Sequence, residues 1–480
     1  MNRRRFLRSL SAGTALASAV RPGLGYQRRP PNIVFILMDD LGWADLACYG
    51  STYYETPNLD RLAREGVRFT DAYAAAPVCS PTRASIMTGK CPARLGLTNY
   101  LPGKHPLPHS RLIGAEQVQA LPLEEITIAE ALRAGGYRTA HIGKWHLGEK
   151  GFWPENQGFD LNIGGTASGM PRSFFYPQWG DNPPIAGKPG EYLTDRLTEE
   201  ALAFIRSNRE RPFFLYLPHY AVHVPIEGKT ELVEKYRKKL KPGQKQNDPI
   251  YAAMIESMDQ SVGRIAALLD ELKLSGNTLV VFTSDNGGLS APEWKLKPVT
   301  SNAPLREGKG HLYEGGIRVP LIVRGPGVHR GAVCDALVSS IDFFPTLARQ
   351  AGLEPPAAGA VDGVDISALL GGASPGERTL YWHYPHYSNQ LGKPASAVRR
   401  GDFKLIEFHE DGHAELYHLK EDIGEQKDLS AAMPEKTREL RALLRQWLAG
   451  VNARMPSVNS QYDPEKAGQG YWWQTGTTPR

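Results

Sequence analysis

One cysteine, two pairs of oxygen donors and five basic residues in this chain have the types and spacing that chemistry needs. Cys79 lies in Pro77-Val78-Cys79-Ser80-Pro81-Thr82-Arg83. Pro81, two positions on, suits the first turn of a helix, whose free N–H groups and dipole favour an anion, and Arg83 adds a fixed charge one turn away. A thiol so placed could be a reactive thiolate. Asp39 and Asp40 end the apolar run Asn32 to Met38, and Asp285 and Asn286 end a second run, Asn277 to Thr283. If those runs are neighbouring strands, four oxygen donors converge, and hard oxygen ligands suit Ca²⁺ or Mg²⁺ rather than zinc. Arg83, Lys144, His146, His223 and Lys309 each stand near glycine or proline at the end of an expected strand or the start of a helix. Gathered around a divalent ion, they would form a pocket for a small polyanionic group. Sulfate and phosphate esters both fit that description.

The elements that must position these residues alternate along the chain. Buried strands are expected at Asn32 to Met38, Val67 to Ala72, Tyr137 to Ile142, Pro212 to Leu217, Asn277 to Thr283 and Leu321 to Val323. Helices are expected at 57–66, after Cys79, and at 127–134, 191–208, 249–272 and from 340 onward. The alternation indicates an α/β sheet covered on both faces, with the chemistry at the carboxyl ends of the strands. Beyond Gly/Ala/Pro-rich stretches near 352–359 and 371–376, four short strands and one helix, 434–451, suggest a small antiparallel sheet with a packed helix. The expected organisation is therefore 1–25 as an export signal, 29–375 as the catalytic body, 376–455 as a small α+β subdomain, and 456–480 as a surface-wrapping tail.

The motifs together resemble those of the formylglycine-dependent type I sulfatases of the alkaline phosphatase superfamily. The resemblance rests on Asp39-Asp40, Cys79 to Arg83, Gly143 to Gly148, His223-Val224-Pro225, Asp285 to Gly288 and Lys309 to Pro320, which occur in the family's order. Thr82 stands where the family commonly has serine, and Lys90 where it commonly has arginine. The resemblance implies an alkaline-phosphatase-like large mixed sheet with helices on both faces. It implies that Cys79 is oxidised to formylglycine by a formylglycine-generating or anaerobic sulfatase-maturing enzyme. It also implies one metal ion, Ca²⁺ in preference to Mg²⁺, held by Asp39, Asp40, residue 79, Asp285 and Asn286. The hydrated aldehyde would attack sulfur, and its second hydroxyl, deprotonated by His146 or a neighbour, would expel sulfate. His223 and Lys309 would serve the leaving alcohol, and Arg83 and Lys144 would orient residue 79 and neutralise sulfate oxygens. His219, in Pro218-His219, is a rival to His223. Alternatives are a phosphodiesterase or phosphonate monoester hydrolase of the same superfamily, or an inactive glycan-binding protein.

Composition sets further bounds. The chain has 480 residues, 41% hydrophobic and 22% charged, enough for a large core, and its net charge of +5 gives no sign of nucleic-acid binding. The basic run 234–245 is expected to be a solvated helix face and loop. Arg3-Arg4 with Phe6-Leu7, then a weakly apolar run to Val20, resembles a twin-arginine export signal, so the protein is expected in the periplasm or outside the cell. A reporter fusion retained in the cytoplasm would refute this. No stretch reaches a stable membrane span. Besides Cys79 there are Cys48, Cys91 and Cys334, an odd set expected to be buried, unreactive thiols. A sulfated sugar or oligosaccharide is the expected substrate, because aromatic residues in expected rim loops suit sugar rings: Trp153, Phe175, Tyr176, Trp179, Trp382, Tyr384 and Tyr387. The stretch 151–160 also resembles sulfatases acting on galactose or N-acetylgalactosamine sulfates.

Overall fold

The structure is a computed structural model that describes residues 29–103, 110–293, 297–357, 359–374 and 376–467. The export signal and the aromatic end of the tail lie outside the described residues.

The first apolar run forms β1 (Asn32–Met38), every residue of which is buried. Its side chains alternate between two cores, which is why the run is apolar throughout. Ile33, Phe35 and Leu37 enter one core, and Val34, Ile36 and Met38 the other. Seven more strands complete the sheet: β2 (Val67–Phe69), β3 (Arg138–Ile142), β4 (Leu161–Ile163), β5 (Phe213–Pro218), β6 (Thr278–Ser284), β7 (Leu321–Arg324) and β8 (Ala332–Cys334). Their order is β8-β2-β7-β6-β1-β5-β3-β4. Neighbours are parallel except at β7, which is antiparallel to both β6 and β2. The pairing of β1 with β6 runs from Asn32 opposite Thr278 to Met38 opposite Ser284. Their carboxyl ends are therefore level, so Asp39 and Asp285 leave the sheet side by side.

Helices cover both faces. On one lie α1 (Pro57–Glu65), α4 (Leu193–Asn208), α5 (Thr230–Lys239) and α6 (Pro249–Glu271). On the other lie α2 (Cys79–Thr88), α3 (Ile128–Ala134) and α7 (Phe343–Gln350). The second, four-stranded sheet is antiparallel and takes its strands in chain order: β9 (Thr379–Tyr384), β10 (Ala395–Arg400), β11 (Phe403–Phe408) and β12 (Ala414–His418). One face packs Leu380, Trp382, Ile406 and Tyr417 against Tyr73, Leu312 and Ile317 of the large body. The other packs Val398, Leu405 and Leu416 against Leu440 and Leu444 of α8 (Pro434–Gly450). In the tail, Ser457–Val458 pairs with Leu112–Ile113.

Three expectations change. The strand expected over Val67 to Ala72 stops at Phe69, and Ala72–Tyr73 pairs separately with Val338–Ser339. Between them Asp71 turns to ion-pair with Arg318 and Arg399, which a continuous strand would forbid. The basic run is not simply solvated: Lys235 and Lys239 bind Glu55, and Val233 and Tyr236 of the same helix are buried. The aromatic rim is largely a core. Trp179, Trp382 and Tyr384 are buried, with polar atoms bonded to Ile185 O, Ala74 O and Asn99 Oδ1. Cys48, Cys91 and Cys334 are free thiols, as composition suggested, although only Cys91 among them is fully buried. Burial pushes the Cys48 thiol up to about 12.

Candidate active site

Chain ends that stop abruptly at glycine bring the site together. After β3, Gly143 turns with φ +125°, and a Cβ there would lie 2.0 Å from the carbonyl oxygen of Pro218. Only glycine lets this turn press against the end of β5, so Lys144 and His146 reach the centre. After β6, a Cβ on Gly287 would lie 1.7 Å from Gly315 O, so this loop can pack against the segment that carries Lys309 only without a side chain. Cys79 opens α2, and Gly89 closes that helix in the left-handed conformation at φ +67°.

Nearly all the sequence-predicted residues meet here, buried. Lys144 Nζ donates to Asp39 Oδ2 at 2.7 Å. Arg83 Nε donates to Asp285 Oδ2 at 2.8 Å, while Arg83 Nη1 donates to Lys144 O at 2.9 Å. Lys309 Nζ donates to Asp40 Oδ2 at 2.8 Å and to His223 Nε2 at 3.0 Å. Asn286 Nδ2 donates to Asp40 Oδ1 at 2.8 Å. Asp39, Asp40 and His223 offer ligand atoms within 4.8 Å of one another, a group able to hold a metal ion. Two acceptor oxygens at the centre, Asp39 Oδ1 and Asn286 Oδ1, are buried without a hydrogen-bond partner. Each such orphan costs about 1–3 kcal/mol unless something fills it. Asp39, Asp40, Asp285 and Asn286 offer only hard oxygen atoms, which fits Ca²⁺ or Mg²⁺, whereas both His223 nitrogens are engaged by Val224 O and Lys309.

Partners fix both histidine tautomers. His146 Nε2 faces Leu101 O at 2.6 Å and must carry the hydrogen, so Nδ1, 3.2 Å from Cys79 Sγ, is a free acceptor. His223 Nδ1 faces Val224 O at 3.0 Å, so its Nε2 accepts from Lys309. Burial and then Lys144 hold His146 well below the usual imidazole range. Burial and Lys309 hold His223 down to about 4, so both rings are neutral near pH 7. Burial would lower Lys309, but Asp40 and then Glu293 keep its ammonium charged well above the ordinary lysine value. Burial pushes the Cys79 thiol up more than Lys144 pulls it down, so the unmodified side chain is a neutral S–H donating to His146 rather than a thiolate. His219 does not share the site: its ring bonds Ser261 on α6 at 3.2 Å.

Cys79, His146, His223 and Lys309 open into a cavity of about 230 Å³. Its far wall holds Tyr100, Met170, Glu293, Asn389 and Gln390, none of which the sequence singled out. They lie in loops without a motif, and their only sequence signal is proximity to motif residues.

A mixed sheet with a convergent acidic group and anion-complementing cations at its strand ends defines an alkaline-phosphatase-like ester hydrolase. Residues 31–353 match the family model described as Sulfatase, and residues 308–454 match one described as N-sulphoglucosamine sulphohydrolase, C-terminal. A Sulfatase from Formosa agariphila is 34% identical, over 88% of this chain and 89% of its own. The N-acetylgalactosamine-6-sulfatase of Sus scrofa is 38% identical, over 76% of this chain and 71% of its own. The crystal structure of Ps i-CgsB in complex with k-i-k-neocarrahexaose superposes with a TM-score of 0.75 at 28% identity, covering 93% of this chain and 98% of that one. The chain belongs to the sulfatase family and is a sulfuric ester hydrolase.

Proposed function

We propose that this sulfatase removes sulfate from a sulfated carbohydrate, using formylglycine formed from Cys79 and one Ca²⁺ ion. The observation that carries this reading is the pair of orphaned acceptors, Asp39 Oδ1 and Asn286 Oδ1, beside a buried cysteine whose neighbouring imidazole nitrogen is free to take a proton. Asp39, Asp40, Asp285 and Asn286 would hold the metal. When present, the ion supplies Lewis-acid polarisation and the hydrated aldehyde supplies one hydroxyl to attack sulfur and a second that lets sulfate depart.

The chain's own groups do the rest. His146 Nδ1, with no proton of its own, accepts one from the side chain at residue 79. Arg83 is fixed by Asp285 and by the carbonyl oxygen of Lys144, so its charge stands behind residue 79 without reorganising. Lys309 is the charged donor on the opposite side, and His223 Nε2 accepts from it, so the two can pass a proton to the departing alcohol. A carbohydrate is favoured by the bound neocarrahexaose of the Ps i-CgsB structure and by the N-acetylgalactosamine-6-sulfatase relative. The test is mass spectrometry of the tryptic peptide Phe69 to Arg83 after co-expression with a formylglycine-generating enzyme. An aldehyde at residue 79 is expected; an intact thiol beside a converted control would overturn the mechanism.

A further inference from the structure

Beyond the residues that handle sulfate, the cavity has a wall of unusual charge. Glu293 is 3% exposed and is the one acidic residue among the described residues that line it. Gln390 Nε2 donates to Glu293 Oε1 at 2.7 Å, and Lys309 Nζ stands 3.4 Å from Glu293 Oε2. Asn389, beside Gln390, spends an N–H on Tyr100 Oη at 3.2 Å. The side-chain donors of this wall are therefore partly used on one another, and carboxylate and amide oxygens remain as acceptors. Lys309 is the one lysine or arginine lining the cavity among the described residues, and Asp40 and Glu293 already bind it. A second anion beside the cleaved ester would meet a carboxylate and, among the described residues, find no cation besides the already paired Lys309 to offset it.

The wall is also built to stay in place. Gln390 comes from the loop between β9 and β10, which closes on itself through Ser388 N to Gly392 O at 2.9 Å and Gly392 N to Ser388 Oγ at 2.8 Å. That loop packs on the Lys309 segment so tightly that a Cβ on Gly392 would lie 1.9 Å from Gly310 O. The second sheet thus delivers Gln390 to Glu293, and Glu293 cannot swing away without losing that bond.

We propose that Glu293 is a specificity-determining residue, whose carboxylate accepts hydrogen bonds from uncharged hydroxyl groups flanking the cleaved ester and rejects substrates with a second anion there. For sugars this rests on the carbohydrate reading above. The experiment compares wild type and Glu293→Gln on two substrate pairs. One pair is 4-nitrophenyl sulfate and its 2-carboxy derivative; the other is N-acetylgalactosamine 6-sulfate and its 4,6-disulfate. Within each pair the ratio of kcat/KM comes from one preparation, so any loss of folded or matured enzyme cancels. Wild type should prefer the less charged member of each pair, and Glu293→Gln should shrink that preference about tenfold by removing one like-charge contact. An unchanged preference in the aryl pair overturns the role given to Glu293. A shrunken aryl preference with no turnover of either sugar by wild type supports that role and overturns N-acetylgalactosamine 6-sulfate as the sugar within the carbohydrate reading.

Discussion

Two buried charge clusters of similar composition sit at different levels of this molecule. At the strand ends, Asp39, Asp40 and Asp285 meet Arg83, Lys144 and Lys309. At the junction of the two sheets, Asp71, Glu314 and Glu425 meet Arg318, Arg399 and Lys404. In the junction, Lys404 Nζ lies 2.9 Å from both Glu314 and Glu425, Arg318 and Arg399 share Asp71, and the Tyr73 hydroxyl donates to Glu314. None of the junction's side-chain atoms is left without a partner among the described residues, whereas in the strand-end cluster Asn286 Oδ1 and Asp39 Oδ1 make no hydrogen bond, the latter having only Arg83 Nη2 at 3.7 Å. A buried ionic cluster that closes on itself holds chain to chain. One that stops short is preorganised for a ligand and carries its desolvation cost until that ligand arrives.

The comparison breaks most visibly at its lysines. Lys404→Ala would leave two buried carboxylates facing each other, a loss of about 3–5 kcal/mol, read as a lowered midpoint of thermal unfolding, while turnover per folded molecule stays within about twofold. Lys309→Ala should do the reverse and lower kcat/KM by about 10²–10³, because it removes a charged donor aimed at the reacting group. If Lys404→Ala abolished turnover well below its unfolding midpoint, the junction would be part of the catalytic apparatus and the distinction would fall.

Metal removal sharpens the same contrast at a smaller scale. Ca²⁺ at about 100 times its dissociation constant should stabilise the wild type by about 2.7 kcal/mol over the chelated protein. Asp39→Asn should erase that increment, and Glu314→Gln should keep it even though its starting midpoint is lower. Differential scanning calorimetry with and without chelator reads all three. An increment that survived Asp39→Asn would place the ion elsewhere.

Much of the first cluster was legible in the sequence and little of the second, for a physical reason. Asp39, Asp40, Asp285 and Asn286 each terminate an apolar strand, and Cys79, Lys144 and Lys309 stand beside the glycine or proline that a tight approach demands, so each carries a local signal. Arg399 and Lys404 are polar residues among others within short strands, Glu425 lies in a loop, and only the fold brings them to Asp71 and Glu314. Glu314 and Arg318 do lie in the recognised Lys309 to Pro320 motif, yet they serve the junction, so one motif supplies both clusters. The same limit hid Glu293 and Gln390, whose pairing joins loops 97 residues apart. It also misled on Trp382 and Tyr384, where aromatic character was read as a rim and the second sheet buries both.

The smallest effect concerns acid. On the face of the second sheet opposite the junction, His383 Nε2 meets Arg454 O at 3.0 Å and must carry the hydrogen, so its Nδ1 accepts from Ser396 Oγ at 2.7 Å, which in turn contacts His409 Nε2 at 2.9 Å. Burial lowers both rings to about 4, so they are neutral when folded at pH 7. In the unfolded chain each takes up a proton near pH 6.5, so their contribution is complete above that value and is lost as pH falls from 6.5 toward 4. His383 alone accounts for about 1–2 kcal/mol of loss by pH 5. His383→Gln should therefore flatten part of the fall in thermal midpoint between pH 6.5 and 5, at some cost to stability at pH 7. An acid limb identical to wild type would mean that His383 charges within the folded protein and that the face of the second sheet turned toward α8 admits solvent, while the junction on the other face stays closed.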